Sequence, residues 1–441
     1  MNQADSLGFE EQLLASGAHP APSESADVVV VNTCSVTASA DQGARQTIRR
    51  IARVNPNARI VVTGCYATRD REQVAQLPNV AHVVCNDDKP KLLSFIRTGA
   101  SELTTNVASE LTTNVASGLQ TRRQPTTAER FGGGDGNCGA SIEPGVAGRT
   151  AFTLRVQTGC AQPCSYCIIP ETRGAPRSVP IAQVVGEARR VVAVGFKEVV
   201  LTGVHLGSYG RDLDTPTTLA QLLFALRDEF GSRDASAEPD VLFRISSLEP
   251  MDCSSELVAL VQESACFAPH FHLPLQHASS RMLAAMRRPY DLEYYARLVD
   301  TIRRDIPHAS IGSDLIVGFP GETDEDFEML ATYLEHSPLT HLHVFPYSDR
   351  PGTAASKMGD RPAGVVVKAR GARLREIGSR LTRRFLESQL GTVHRALTLE
   401  DGTLAVTGNY LKVLIPPGLA RNQWADVRIT ATTPSLAGEL T

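Results

Sequence analysis

The sequence predicts a multidomain α/β protein. A small doubly wound α/β domain is expected over residues 1–98, a partial TIM-like (βα)6 barrel over 149–385, and an all-β barrel over 386–441. Three observations predict this. Short β-branched runs alternate with helical segments up to about Arg97, and strand and helix signals alternate six more times from Arg149 to about Arg384. The tail from Gly391 then carries short strands parted by Gly and Pro. A chain of 441 residues also exceeds one ordinary core, since domains run to ~100–200 residues.

In the first domain Val28–Val31 and Ile60–Val62 read as buried parallel strands, and Ala81–Val84 as a weaker third. Ala40 to Val54 has helical spacing and stops at Asn55-Pro56. Residues 99–148 break the pattern. The octapeptide Ser101 to Ala108 recurs at once as Ser109 to Ala116, and a Gly-rich stretch from Gly132 to Gly139 follows. Such sequence reads as a linker, with Cys138 incidental in it. Beyond it, strands are expected at Phe152–Val156, Glu198–Leu201, Phe243–Ser246, His270–Leu273, Ser310–Val317 and His341–Phe345. In the tail they are expected at Ala396–Leu399, Leu411–Ile415 and Asp426–Thr430. In parallel α/β sheets, functional groups gather at the carboxyl ends of the strands.

Composition narrows the function. A hydrophobic share of 42% with 21% charged residues suits a soluble globular protein, and the net charge of −4 makes any nucleic-acid affinity a local patch. The first twenty residues hold Asp5, Glu10 and Glu11 and no apolar run, so no signal peptide is read. No stretch reaches the ~18 apolar residues of a membrane span. A cytoplasmic location with no membrane partner is therefore expected. There, nine cysteines read as metal or catalytic ligands before disulfides.

The strongest signal is Cys160-Ala-Gln-Pro-Cys164-Ser-Tyr-Cys167, directly after a predicted strand. Three thiolates on one loop can hold three irons of a cubane cluster. A structural zinc wants a fourth ligand, usually as a second pair, and no such pair lies nearby. The fourth iron stays open for an exogenous ligand.

This spacing, with aromatic Tyr166 before the last cysteine, is similar to that of radical S-adenosylmethionine (SAM) enzymes. The resemblance continues through Ile169-Pro170-x-x-Arg173-Gly174-x-x-Arg177-Ser178, Leu201 to Gly210, Ser246-Ser247-Leu248-Glu249-Pro250, His272 to Gln276, Asp314 to Thr323 and Phe345 to Thr353. Over nearly the whole chain apart from the linker, it resembles the radical SAM methylthiotransferase family. The resemblance implies a radical SAM barrel, a 4Fe-4S cluster, and SAM chelating the open iron. One electron then yields a deoxyadenosyl radical, which takes hydrogen from the carbon to be modified. By position, Thr202 and Gly203 look like contacts for the amino end of SAM. Glu249 and Asp314, at equivalent strand ends, look placed to orient SAM or substrate, or else only to cap loops. With Tyr166 these make the implied cofactor-binding set, and no catalytic residue is singled out.

Cys34 follows one strand of the first domain and Cys65 the next, so both lie at the carboxyl edge of one sheet. They can converge on one metal, or remain free buried thiols. Asn-Thr-Cys34 and Gly-Cys65-Tyr-Ala look like the second and third ligand motifs of the family's auxiliary 4Fe-4S cluster, which carries the sulfur. The first ligand belongs in a Gly-Cys-x-x-Asn stretch. Asn2 to Ser6 looks like its continuation, so that cysteine would lie three places ahead of Asn2, before Met1. A misplaced start is one expectation, and Cys85 as substitute ligand the other.

Gly408-Asn409-Tyr410-Leu411-Lys412-Val413 resembles the TRAM domain, a small OB-like RNA-binding barrel, implying RNA contacts at Asn409, Tyr410 and Lys412. The preceding helix is basic through Lys368, Arg370, Arg373, Arg375, Arg380, Arg383 and Arg384, either an RNA-facing patch or a solvated face. Single-stranded loops are where sequence-specific RNA readers act, and the adenosine beside the anticodon meets that requirement. Asn32 to Thr37, with Arg45 to Arg49, looks most like the branch acting on threonylcarbamoyladenosine in tRNA. The partners implied are a tRNA anticodon loop, an electron donor such as a flavodoxin or ferredoxin, and a sulfur donor. The alternatives are isopentenyladenosine in tRNA, a ribosomal-protein aspartate, or RNA binding by a protein whose auxiliary site has decayed.

Overall fold

Val28 to Val31 are buried on both faces, as in the middle of a parallel sheet. They lie in β1 (Val28–Thr33), which pairs in parallel with β2 (Arg59–Gly64), and β2 with β3 (Val80–Val84). This is a computed structural model describing residues 2–97, 106–111, 144, 150–231 and 239–441. Alternate valines divide between two cores. Val29 and Val31 meet Ala44, Ile48 and Ile51 of the helix Ala38–Val54, while Val28 and Val30 meet Phe9 and Leu13 of the helix Asn2–Ala15. Thr37 caps the helix Ala38–Val54 by accepting from the Ala40 amide.

The segment read as a linker departs from expectation. Asn106–Leu111, across the junction of the two octapeptides, forms β4 and pairs in parallel with β1 from Val28↔Val107 to Asn32↔Leu111. Its other edge meets His19–Pro20. An open β1 edge offers a row of unpaired amides and carbonyls, and a Val-containing segment of matching length satisfies them. Cys138 lies outside the described residues.

β5 (Ala151–Arg155), β6 (Glu198–Thr202) and β7 (Leu242–Ile245) form one parallel sheet, with β8 (His270–His272), β9 (Ser310–Val317) and β10 (His341–Pro346) a second. The bridge Phe243↔Phe267 and the bond from Leu248 N to His272 O (2.9 Å) join them into six strands in chain order. Helices including Ile181–Ala193, Leu219–Phe230, Leu292–Asp305 and Asp324–His336 cover the outer face. There Phe152, Val199, Phe243, Phe271 and Ile311 are buried in one core. The period of two turns the intervening residues, among them Glu198, Arg244, His272 and Asp314, to the concave lumen.

The helix Gly364–Glu387 leads into a closed barrel of β11 (Val393–Leu399), β12 (Leu404–Thr407), β13 (Lys412–Leu414), β14 (Trp424–Ala431) and β15 (Ala437–Leu440). It sits at the amino ends of the lumen strands, where Arg244 donates to Gly408 O (2.8 Å) and its guanidinium lies 4.6 Å from the Tyr410 ring. No helix among the described residues is long and apolar enough to cross a membrane.

Candidate active site

Cys160, Cys164 and Cys167 lie on the loop after β5, all half-buried, at the carboxyl end of the lumen. Gln157 shapes this rim. Its Oε1 accepts from Val204 N and His205 N (2.9 Å each), and its Nε2 donates to Gly159 O (2.8 Å). A Cβ on Gly203 would stand 2.6 Å from Leu206 Cδ2 and 3.0 Å from Gln157 Oε1, so a larger residue would displace both side chains. Thr202 is the last residue of β6, buried, with its carbonyl accepting from Val156 N.

Two cationic side chains outside the motif flank the thiols. Arg288 Nη1 donates to Cys164 Sγ (3.2 Å), while its Nη2 pairs with Glu249. His205 bonds Asp252 Oδ2 through Nε2 (2.8 Å) and also reaches Cys160. Burial alone would lower this imidazole, but Asp252 and Cys160 raise it to about 9. Burial pushes the Cys167 thiol up to about 12 and raises the Tyr166 phenol too. The Tyr166 ring is set edge-on to Phe319 at 6.5 Å. Sequence reasoning placed Glu249 on this rim but missed Arg288 and His205. His205 stands within a quoted motif, whereas no local signal marks Arg288.

Asp314 requires a correction. It was expected at a strand end, yet it lies inside β9, three residues short of Val317. Its Oδ1 accepts from His272 Nε2 (2.9 Å) and His343 Nδ1 (3.2 Å). Against the effect of burial, these bonds hold the carboxyl well below the usual carboxylate range.

Cys34 and Cys65 follow β1 and β2 at adjacent strand ends, in the register Thr33↔Gly64, and Cys85 follows β3 one strand further on. Arg173, ending the helix Ile169–Arg173 that starts two residues after Cys167, bonds Cys65 and pairs with Asp5 (3.6 Å). Asn86 Nδ2 lies 3.7 Å from Cys65 Sγ. Burial raises the Cys34 thiol.

The two places differ in what they offer an iron–sulfur group. The first offers three thiols on one loop with cations against two of them, the donor set of a cubane with one open iron. The second offers two thiols, Cys34 and Cys65, with Cys85 one strand further on, and beside them Ser35 Oγ and Asn86 Oδ1 are buried without a hydrogen-bond partner.

The tail reading divides. Asn409 is 1% exposed, and its Nδ2 is spent on His308 O (2.9 Å) and Gln389 Oε1 (3.0 Å). It fastens the small barrel to the large one and does not face RNA, because a buried amide is held only where its bonds are made. Tyr410 is exposed but its ring leans on Arg244 and His270, while Lys412 is exposed. Three of the seven cations of the basic helix are ion-paired. Arg370 pairs with Glu322 and Asp324, Arg373 with Glu328, and Arg380 with Glu335 and Glu376.

A three-thiol loop at the carboxyl rim of a six-stranded βα barrel defines a radical SAM enzyme. Comparison with known proteins agrees. The radical SAM superfamily matches residues 154–334, and "Uncharacterized protein family UPF0004" matches residues 1–86. Threonylcarbamoyladenosine tRNA methylthiotransferase MtaB of Aquifex aeolicus (strain VF5) is 35% identical over 94% of this chain and 93% of its own. Ribosomal protein uS12 methylthiotransferase RimO of Roseiflexus castenholzii (strain DSM 13941 / HLO8) is 32% identical over 97% and 91%. The solved radical SAM methyltransferase TsrM of Kitasatospora setae, with cobalamin and a [4Fe-4S] cluster bound, shares the fold at TM-score 0.50. It is 16% identical and is matched over 75% of this chain and 63% of its own. The chain belongs to the radical SAM methylthiotransferase family, enzymes that use a 4Fe-4S cluster and SAM.

Proposed function

We propose that the enzyme converts threonylcarbamoyladenosine, beside the anticodon of a tRNA, to its 2-methylthio derivative. One observation carries the two-site chemistry. A single five-residue helix, Ile169–Arg173, starts two residues after Cys167 and ends on Arg173, which lies against Cys65. Similarity to the Aquifex tRNA enzyme over 94% of the chain supports the substrate.

In this reading Cys160, Cys164 and Cys167 hold a cluster whose bound form supplies the electron that cleaves SAM. Arg288 and His205 balance the thiolate charge, and Glu249, anchored by Arg288, orients SAM at the rim. Thr202 and Gly203 leave the backbone open to its amino end, and Tyr166 closes the apolar side. Cys34 and Cys65 hold the auxiliary group that carries sulfur, with Arg173 aimed at Cys65. The residues through 97, with β4, form the sulfur-carrying domain. The small barrel presents Lys412 and the exposed edge of Tyr410 to RNA. A flavodoxin- or ferredoxin-type electron donor and a sulfur donor complete the partners.

Nucleoside mass spectrometry of tRNA from cells with and without the gene tests this. The 2-methylthio nucleoside should vanish with the gene while its unthiolated precursor accumulates. A second reading has specific support, since the uS12 enzyme matches 97% of the chain. It predicts unchanged tRNA and loss of a methylthio mass from the ribosomal protein.

A further inference from the structure

The lumen of the second sheet carries more metal-type donors than this chemistry uses. Phe271, Ile311 and Leu315 turn outward into the core beneath the helices. Alternation therefore turns His270 and His272, Gly312 and Asp314, and His341 and His343 inward. The register sets His272 opposite Gly312, Gly312 opposite His341, and Asp314 opposite His343. His272, Asp314 and His343 thus come from three adjacent strands and converge at one level.

Their ligand atoms all lie within 4.8 Å of one another, and among the described residues this is the one such group of three His, Cys, Asp or Glu side chains. Two imidazoles and one carboxylate form a donor set suited to divalent first-row metals, with positions left open. The surroundings fix the rings. A Cβ at Gly312 would stand 1.9 Å from His341 Nε2, so only glycine lets that ring lie across the strand. There His341 stacks on His270 (5.9 Å, 9°), and its ring lies 6.1 Å from His272 and 5.5 Å from His343. The His343 side chain is 53% exposed, which leaves an entry path.

We propose that His272, Asp314 and His343 bind one divalent first-row transition-metal ion, at a site separate from both cysteine sites. Binding does not depend on which substrate the enzyme modifies.

The test is titration of Zn²⁺ into the full chain after its iron–sulfur clusters have been reconstituted, followed by calorimetry, with Co²⁺ as the spectroscopic probe. One equivalent per chain should bind, and His343→Ala and His272→Ala should each weaken it at least about tenfold, as loss of ligand-shell groups does. A Cys160→Ala/Cys164→Ala/Cys167→Ala variant should bind as tightly as wild type. The Co²⁺ spectrum should show ligand-field bands and no sulfur-to-cobalt charge transfer. The proposal is overturned if wild type binds no such equivalent, or if the histidine variants bind unchanged. It is equally overturned if the thiol variant loses the ion or a charge-transfer band appears.

Discussion

Arg288 donates to Cys164 and His205 reaches Cys160, so both would offset the charge of thiolates that hold a cluster in the half-buried loop. Cys164→Ala should abolish cluster absorbance and SAM cleavage together, measured anaerobically after reconstitution. Arg288→Met removes the cation from Cys164 and leaves Glu249 without its partner. Bound iron per chain and SAM cleavage should both fall, with Arg288→Lys intermediate because it keeps the charge but loses the guanidinium fork. If iron content is unchanged in Arg288→Met, the charge-balancing role is wrong. The cysteines were legible because three of them crowd one short loop. Arg288 was not, because it lies 124 residues from Cys164 in sequence.

Elements show what local pattern can and cannot say. The helix Asp324–His336 begins with a capping box, Thr323 accepting from the Asp326 amide and Asp326 returning a bond to the Thr323 amide. Asp326 also accepts from Ser279 Oγ (2.5 Å) and pairs with Arg281. Burial would raise this carboxyl, but these bonds lower it from 3.8 to about 2. Its contribution is therefore complete above pH 3.8 and is lost as pH falls through about 2. Asp326→Ala should cost ~1–2 kcal/mol at pH 7. In urea unfolding the gap from wild type should close toward pH 2, and a gap independent of pH would remove the ionised carboxylate from the explanation. The facing helix Gly364–Glu387 looked basic in sequence, yet Arg370, Arg373 and Arg380 meet Asp324, Glu328 and Glu335 of Asp324–His336, about 45 residues away. Arg373→Ala, at a solvent-exposed pair, should change stability by less than ~1 kcal/mol by the same measurement.

Across the whole molecule, two charge networks dock the first domain on the barrel. Asp41, 3% exposed, receives Arg69 (2.6 Å) from its own domain and Arg350 (2.7 Å) from the loop after β10. Ser348 Oγ accepts from Ala38 N (2.9 Å) beside it. Asp5 is met by Lys89, Arg155 and Arg173, which overcome burial and hold its carboxyl low. Breaking a buried pair by removing one partner costs ~3–5 kcal/mol. Arg350→Ala should accordingly split thermal unfolding into two calorimetric transitions. SAM cleavage, housed in the barrel, should persist while methylthio transfer fails. A single transition with both activities intact would show that this pair does not dock the domain.

The sequence alone determined the fold class, most strand positions and the three-cysteine loop that follows β5, because each is written in short-range pattern: β-branched runs, alternation and close spacing. Tertiary structure decided what depends on distant segments meeting. It made a strand of the octapeptide junction by offering it the open edge of β1. It moved Asp314 inside β9 between two histidines, and buried Asn409 against His308. Burial and pairing of polar groups depend on what the fold brings within about 3 Å, the reach of a hydrogen bond, and no local motif encodes that.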